Sequence, residues 1–158
     1  LGISITMDLM NKTIEALPFI VRAIEIEPEN PDYHLFHIEF LKKLNRLDEA
    51  EAIAESIMSK FQDNEDLWLD YSDIFSHRGE FDRALGIIQT GWQHCPQSNE
   101  LGFRQVAYLI QAGKTTDAEE LLFRMAMRFP EGLNELEEYY PEIKENLLFL
   151  ELRKQLSH

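Results

Sequence analysis

Apolar positions along the chain recur at helical rather than strand spacing, and the pattern breaks at regular intervals. Over 65–78, Trp68, Tyr71, Ser72 and Phe75 fall on one face of a helix. Gly79 follows, where a helix end takes a left-handed residue that only Gly and Asn adopt cheaply. A second helical pattern then carries Phe81, Ala84, Leu85, Ile88 and Trp92 and stops at Pro96. Two helices of about four turns each, with their connecting turns, fill the interval. The spacing predicts antiparallel pairs over 31–44 with 47–60, 65–78 with 81–94, and 99–112 with 115–128.

The interval is 34 residues, and several columns keep it. Ala16, Ala50, Ala84 and Ala118 form one column. A small residue is expected there because the second helix of each pair crosses close over the first, at the usual axial distance of about 8–10 Å. Asn11, Asn45, Gly79 and Gly113 form a turn column, and Pro28, Gln62, Pro96 and Pro130 a helix-stop column. Asn30, Asn64 and Ser98 are predicted helix caps, and Pro31 follows Asn30 in the favoured order. A fixed period with helix–turn–helix punctuation predicts a repeat array in which each pair packs on its neighbours.

With these columns the chain resembles the tetratricopeptide (TPR) family, whose pattern sets Trp, Leu-Gly, Tyr, Gly, Ala, Ala and Pro at fixed places. Unit 64–97 carries it most fully, with Trp68, Tyr71, Ser72, Phe75, Gly79, Phe81, Ala84 and Pro96; Gly91 stands for the second Ala. Unit 30–63 has His34 in the Trp column, Ile38 in the small column and Gln62 for Pro. Unit 98–131 keeps Gly113, Ala118 and Pro130 but has Gly102 in the Trp column. Leu1-Gly2, Ala16, Ala23 and Pro28 resemble a partial repeat whose inter-helix turn is two residues longer. The resemblance implies an all-α fold, a right-handed superhelical stack of antiparallel helix pairs (a TPR α-solenoid). It divides a single domain 1–158 into a partial repeat at 1–29, full repeats at 30–63, 64–97 and 98–131, and a C-terminal capping segment at 132–158. In that segment Pro141 is expected to begin a final helix carrying Ile143, Leu147, Leu148, Leu150 and Leu152, which covers the last apolar face. The chain begins without Met and inside a repeat, so upstream sequence is expected.

Composition narrows the function. The 158 residues are 44% hydrophobic and 11% aromatic, ordinary for a folded domain. No apolar run approaches the 18 or so residues of a membrane span, and no signal segment opens the chain. A net charge of −14 disfavours phosphate backbones and anionic lipid surfaces, so neither nucleic acid nor membrane is expected as a partner. Cys95 is the one cysteine, compatible with a reduced, cytoplasmic setting. His34 and His37 stand three apart on one helix but have no third metal ligand, and both fall in core-facing columns. No Gly-rich phosphate loop or catalytic constellation is visible. The expectation is a non-enzyme with no cofactor and no metal.

Function is therefore expected on the surface that the first helices line. Their remaining positions form a stripe: Asp32, Leu35, Glu39 and Lys42; Asp66, Leu69, Asp73 and Ser76; Glu100, Phe103, Ala107 and Ile110. Leu35, Leu69 and Phe103 make an apolar ladder at the repeat spacing, rimmed by Asp32, Asp66 and Glu100 and by Glu39 and Asp73. Such a groove suits a protein or peptide segment with apolar anchors and basic flanks. The competing possibility is that the ladder packs against neighbouring helices. The carboxylate clamp of heat-shock co-chaperones in this family is not expected, because its positions carry Leu35, Glu39, Asp70 and Glu100, with only Arg104 basic. The resemblance thus implies an interaction scaffold or adaptor. Two alternatives stand beside it: a small acidic chaperone of the type III secretion kind, and a regulatory domain of a larger enzyme or sensor.

Overall fold

The computed structural model describes the backbone of residues 2–156 and the side chains of residues 11–156. Among the described residues there are helices and no strands. In order they are α1 (Gly2–Ile26), α2 (Pro31–Lys43), α3 (Leu47–Met58), α4 (Glu65–His77), α5 (Phe81–His94), α6 (Asn99–Gln111), α7 (Thr115–Arg128), α8 (Gly132–Tyr139) and α9 (Leu147–Leu156), with a 3-10 turn at Pro141–Glu145. The six helices expected from the repeat agree with α2 to α7 to within two residues at every end.

The punctuation works as its chemistry requires. Asn30 Oδ1 accepts from the Asp32 N–H at 3.1 Å, Asn64 Oδ1 from the Leu67 N–H at 3.3 Å, and Ser98 Oγ from the Leu101 N–H at 3.1 Å. Each satisfies a backbone donor that a helix start leaves unpaired. At the helix ends, Asn45, Gly79 and Gly113 adopt positive φ of 57°, 74° and 75°. The following N–H groups, of Arg46, Glu80 and Lys114, then donate to the carbonyls of Leu41, Phe75 and Leu109 at 2.8, 2.9 and 2.9 Å. Each helix end therefore closes in the same left-handed motif, which reverses the chain into the next helix.

The helices gather into two compact units, Leu1–Ile74 and Phe75–His158. In the first, α2 packs on both α1 and α3. Its core holds Ile38 and Leu41 from α2, Ala50, Ala54 and Ile57 from α3, and Leu67 and Ile74 from α4. One hydrogen bond recurs at the repeat spacing. Trp68 Nε1 donates to the Gln62 carbonyl at 2.7 Å, and His34 Nε2 meets the Pro28 carbonyl at 2.9 Å. His34 thus substitutes for Trp as a ring N–H donor, and it also packs its ring on Phe61. In the second unit α6 packs on α5, α7 and α8, and α9 packs on α7. Gly102, which stands in the same ring column, leaves space for other side chains. Met125 Cε would lie 2.3 Å from a Cβ placed there and Trp92 would lie 3.5 Å from it.

Two expectations are corrected. The partial repeat at 1–29 has no inter-helix turn: Asn11 lies inside the continuous helix α1, which also accommodates Pro18. The last helix does not begin at Pro141. That residue opens the 3-10 turn, and α9 begins only at Leu147, because Asn146 is extended and caps the new helix, its Oδ1 accepting from the Phe149 N–H at 3.0 Å. Phe149 and Leu152 face inward from α9, whereas Leu147 is 82% exposed. Ahead of the turn, residues 132–139 form the separate helix α8.

Candidate protein-interaction face

The stripe positions divide between the two units. In the first unit Asp32 stands in the opening turn of α2 and is exposed, while Leu35 and Glu39 are half-buried along the same face. Asp66 is exposed in the opening turn of α4, and Asp73 is half-buried two turns on. Acids in a first helical turn also complement the positive end of the helix dipole. Burial, then Glu65 and then Asp32, hold the Asp66 carboxyl above its usual pKa. The Asp66 carboxyl therefore feels Asp32, at the repeat spacing, between α4 and α2.

Deeper on this face Lys42 Nζ reaches Asp70 Oδ1 at 2.7 Å and Asp73 Oδ2 at 2.8 Å. Burial works against the Lys42 ammonium, but Asp70 and Asp73 together outweigh it and raise its pKa. Asp70 is nevertheless raised as well, chiefly by burial, with Asp73 and Glu39 adding to it against the pull of Lys42. The two directions are compatible because one ammonium serves two carboxylates in a desolvated place. The sequence stripe includes Lys42 and Asp73 but does not reveal their pairing. A signal for it is present: opposite charges 28 and 31 residues apart occupy neighbouring first helices of a 34-residue repeat. Phe36, on α2 beside Leu35, is exposed and is not in the stripe.

The apolar ladder is mostly core. Leu69 is 7% exposed, Phe103 1% and Ala107 0%, leaving Leu35 as the rung with substantial accessible surface. The reason is plainest in the second unit, where α8 packs on α6. A Cβ on Gly132 would lie 2.0 Å from the Phe103 ring, so the aromatic lies directly under the first turn of α8. Around it Glu100, Phe103, Arg104, Glu135, Leu136 and Tyr139 enclose a cavity of about 20 Å³, room for little more than a water. Glu100 and Ile110 remain half-buried. Arg104, the lone basic group at the clamp positions, stacks 3.5 Å over the Tyr139 ring and pairs with Glu100 at 3.6 Å.

Other chemistry is sparse. No group of three or more His, Cys, Asp or Glu among the described residues is placed to hold a metal. No helix there is long and apolar enough to cross a membrane.

Residues 10–68 match the family model described as tetratricopeptide repeat. No curated protein matches the chain. Solved structures of similar fold include TTC0263, a thermophilic TPR protein of Thermus thermophilus, at TM-score 0.62 and 15% identity over 99% of this chain and 95% of that one. MamA from Desulfovibrio magneticus RS-1 aligns at TM-score 0.66 and 10% identity, covering 98% and 92%. The type III secretion translocator chaperone SycD of Yersinia enterocolitica aligns at TM-score 0.59 and 18% identity, covering 87% and 96%. Residues 10–68 thus carry the match to the tetratricopeptide-repeat model, and the described residues form repeated helix pairs with an all-α, helix-pair solenoid fold similar to that of these structures.

Proposed function

We propose that this protein is a non-enzymatic interaction scaffold. Its first-helix face in the unit 1–74 docks a segment of a partner protein that carries apolar anchors and basic flanks. The observation that carries the reading is the pair of exposed rim acids, Asp32 and Asp66, with the Asp66 carboxyl pushed up by burial and by its acidic neighbours. A cation brought between them favours the charged form of Asp66 against its partial desolvation and its acidic neighbours, and Leu35 and Phe36 offer apolar surface beside it. Lys42 engages Asp73 together with Asp70, and Lys43 engages Glu39 at 2.6 Å, so Asp32 and Asp66 are the rim acids that these lysines leave to a partner's cation. The net charge of −14 steers a basic segment toward the protein and repels an acidic one. Of the stripe, Asp32, Leu35 and Asp66 serve this role, with Glu39 and Asp73 behind them in ion pairs with Lys43 and Lys42. Glu100 and Ile110 are lesser candidates, and Leu69, Phe103 and Ala107 are structural.

A second reading is the secretion-type chaperone, which the fold likeness to SycD brings forward. It uses the same face and differs in the partner, a secreted protein. The test uses two synthetic amphipathic peptides, one of Leu and Lys and one of Leu and Glu, titrated against the full chain. The Leu-Lys peptide is expected to bind, more weakly with added salt and more weakly again with Asp32→Lys or Asp66→Lys. Equal binding of both peptides, or indifference to the charge reversals, would refute the proposal.

A further inference from the structure

We infer that the small cavity between α6 and α8 receives the ammonium group of a lysine side chain from a partner protein. Glu135 is the first reason, a carboxylate standing in an apolar column. Counting back by the repeat spacing gives Leu101, Leu67 and Tyr33. Leu101 and Leu67 are core residues, 0% and 1% exposed. Packing alone would favour leucine on α8 as well, and an acid at such a position lowers stability unless its charge is met. The protein meets only half of it. Glu135 Oε1 accepts from Asn99 Nδ2 at 3.3 Å. Glu135 Oε2 is buried and has no hydrogen-bond partner among the described residues. Buried acceptors left open in this way are few in a folded protein, and each calls for a cause.

The cavity supplies the second reason. Glu135 lines it with Glu100 and Arg104, between the Phe103 and Tyr139 rings. Its volume of about 20 Å³ suits one water-sized group. An ammonium has that size and carries three donors, whereas the planar guanidinium of arginine is larger. The Glu100 side chain at its border is 44% exposed, so a group can enter from solvent on that side.

Charge selects among groups of that size. Two carboxylates and one guanidinium around the cavity leave it with one negative charge in excess. Arg104 is already placed, stacked 3.5 Å over the Tyr139 ring and 3.6 Å from Glu100 Oε1. The excess therefore falls to Glu135, which Asn99 holds in position. One monocation donating to Glu135 Oε2 balances the site, an anion would meet both carboxylates, and a neutral donor leaves the charge unmet. The inference concerns residues 99–139 of the second unit and does not depend on the acidic rim of the unit 1–74.

The test follows the side-chain carboxyl carbon resonance of Glu135 by NMR in the isotope-labelled full chain, assigned by its disappearance in Glu135→Gln. Methylammonium, N-acetyl-lysine N-methylamide and tetramethylammonium are titrated at constant ionic strength. The first two are expected to shift the resonance saturably, methylammonium with a Kd on the order of 10 mM, near the ceiling for so small an ion. Tetramethylammonium, of equal charge but bulkier and without N–H donors, is expected to leave it in place. Because Glu135 itself reports, cations gathering at Asp32 or Asp66 do not register, and the two proposals fail separately. Glu135→Leu, which restores the residue of the column, is expected to keep or raise the melting temperature, as a binding rather than a structural role requires. Absence of saturation by about 200 mM, or a like response to tetramethylammonium, would overturn the inference. So would a Glu135→Leu chain that melts lower, or a site that takes methylammonium and refuses the lysine derivative.

Discussion

At the turn column a single dihedral decides whether a residue fits. Gly79 and Gly113 hold φ near 75° with open space where a Cβ would stand, so only backbone strain opposes a side chain there. Gly113→Ala is expected to lower stability by about 1–2 kcal/mol. Gly86 also meets nothing within 4 Å but lies inside α5 at ordinary helical angles. Gly86→Ala is therefore expected to raise stability by about 0.5–1 kcal/mol. Opposite signs in thermal or urea melts check both, and equal signs would mean that φ is not what selects these glycines. The turn column is legible in the sequence because Asn and Gly at a fixed period point to little besides left-handed helix ends. The ring N–H bond is not, because nothing in the order of residues says that His34 and Trp68 donate to the same kind of carbonyl. A pH dependence arises at His37, one turn further along α2. Burial, then Arg46 and then His34, lower the pKa of His37, against a smaller pull from Glu49. Below its unfolded value the unfolded chain binds the proton more readily, so stability falls as pH drops through about 6.5 toward the lower folded value. A melting profile between about pH 7 and pH 5 is expected to fall less for His37→Gln than for the native protein.

Between elements, burial of the ladder follows from what the next helix covers. Phe103 lies under α8, so its loss belongs to folding. Phe103→Ala is expected to cost about 3–5 kcal/mol, and Phe103→Lys more, since it puts a charge into the same place. A Phe103→Ala chain of unaltered melting that had lost its partner would instead make this side chain a binding anchor. Spacing alone does not divide the ladder into core and surface. Leu35, Leu69 and Phe103 have the same periodicity, and accessibility depends on a neighbour whose own pattern is weak: the short helix GLNELEEY offers few apolar positions. The ends of the chain are harder for the same kind of reason. Asn11 shares a column with Asn45, which marks a turn, yet asparagine is only mildly unfavourable inside a helix, and α1 runs through it. Tyr140-Pro141 reads as a helix start, and a non-helical residue before a proline permits a 3-10 turn equally well.

For the whole chain, the excess of acids is distributed by the repeat. Two contacts cross the boundary between successive repeats, Lys60 with the acid Glu29 and Arg128 with the neutral Gln97 at 3.0 Å, each 31 residues apart at the turns that bound a helix pair. What these pairings leave over on α2 and α4 is negative, which is why a basic segment is the proposed partner. The class of fold is legible at this scale because a period repeated in several columns restricts architecture far more than any one motif. The proposed class of partner rests on the charge. The interaction face is least legible, since it is whatever surface the packing leaves uncovered.

The ring column also has a spectroscopic meaning. Only two tryptophans occur in the chain, and one lies in each compact unit. The indole of Trp68 is buried with its N–H held by the Gln62 carbonyl, while that of Trp92 is half-buried near Gly102. Intrinsic fluorescence therefore arises from two chromophores in unlike surroundings. Replacing either with Phe leaves an emission signal belonging to one half of the protein. With no label attached, the cooperativity of a repeat array can be followed half by half along a denaturant gradient.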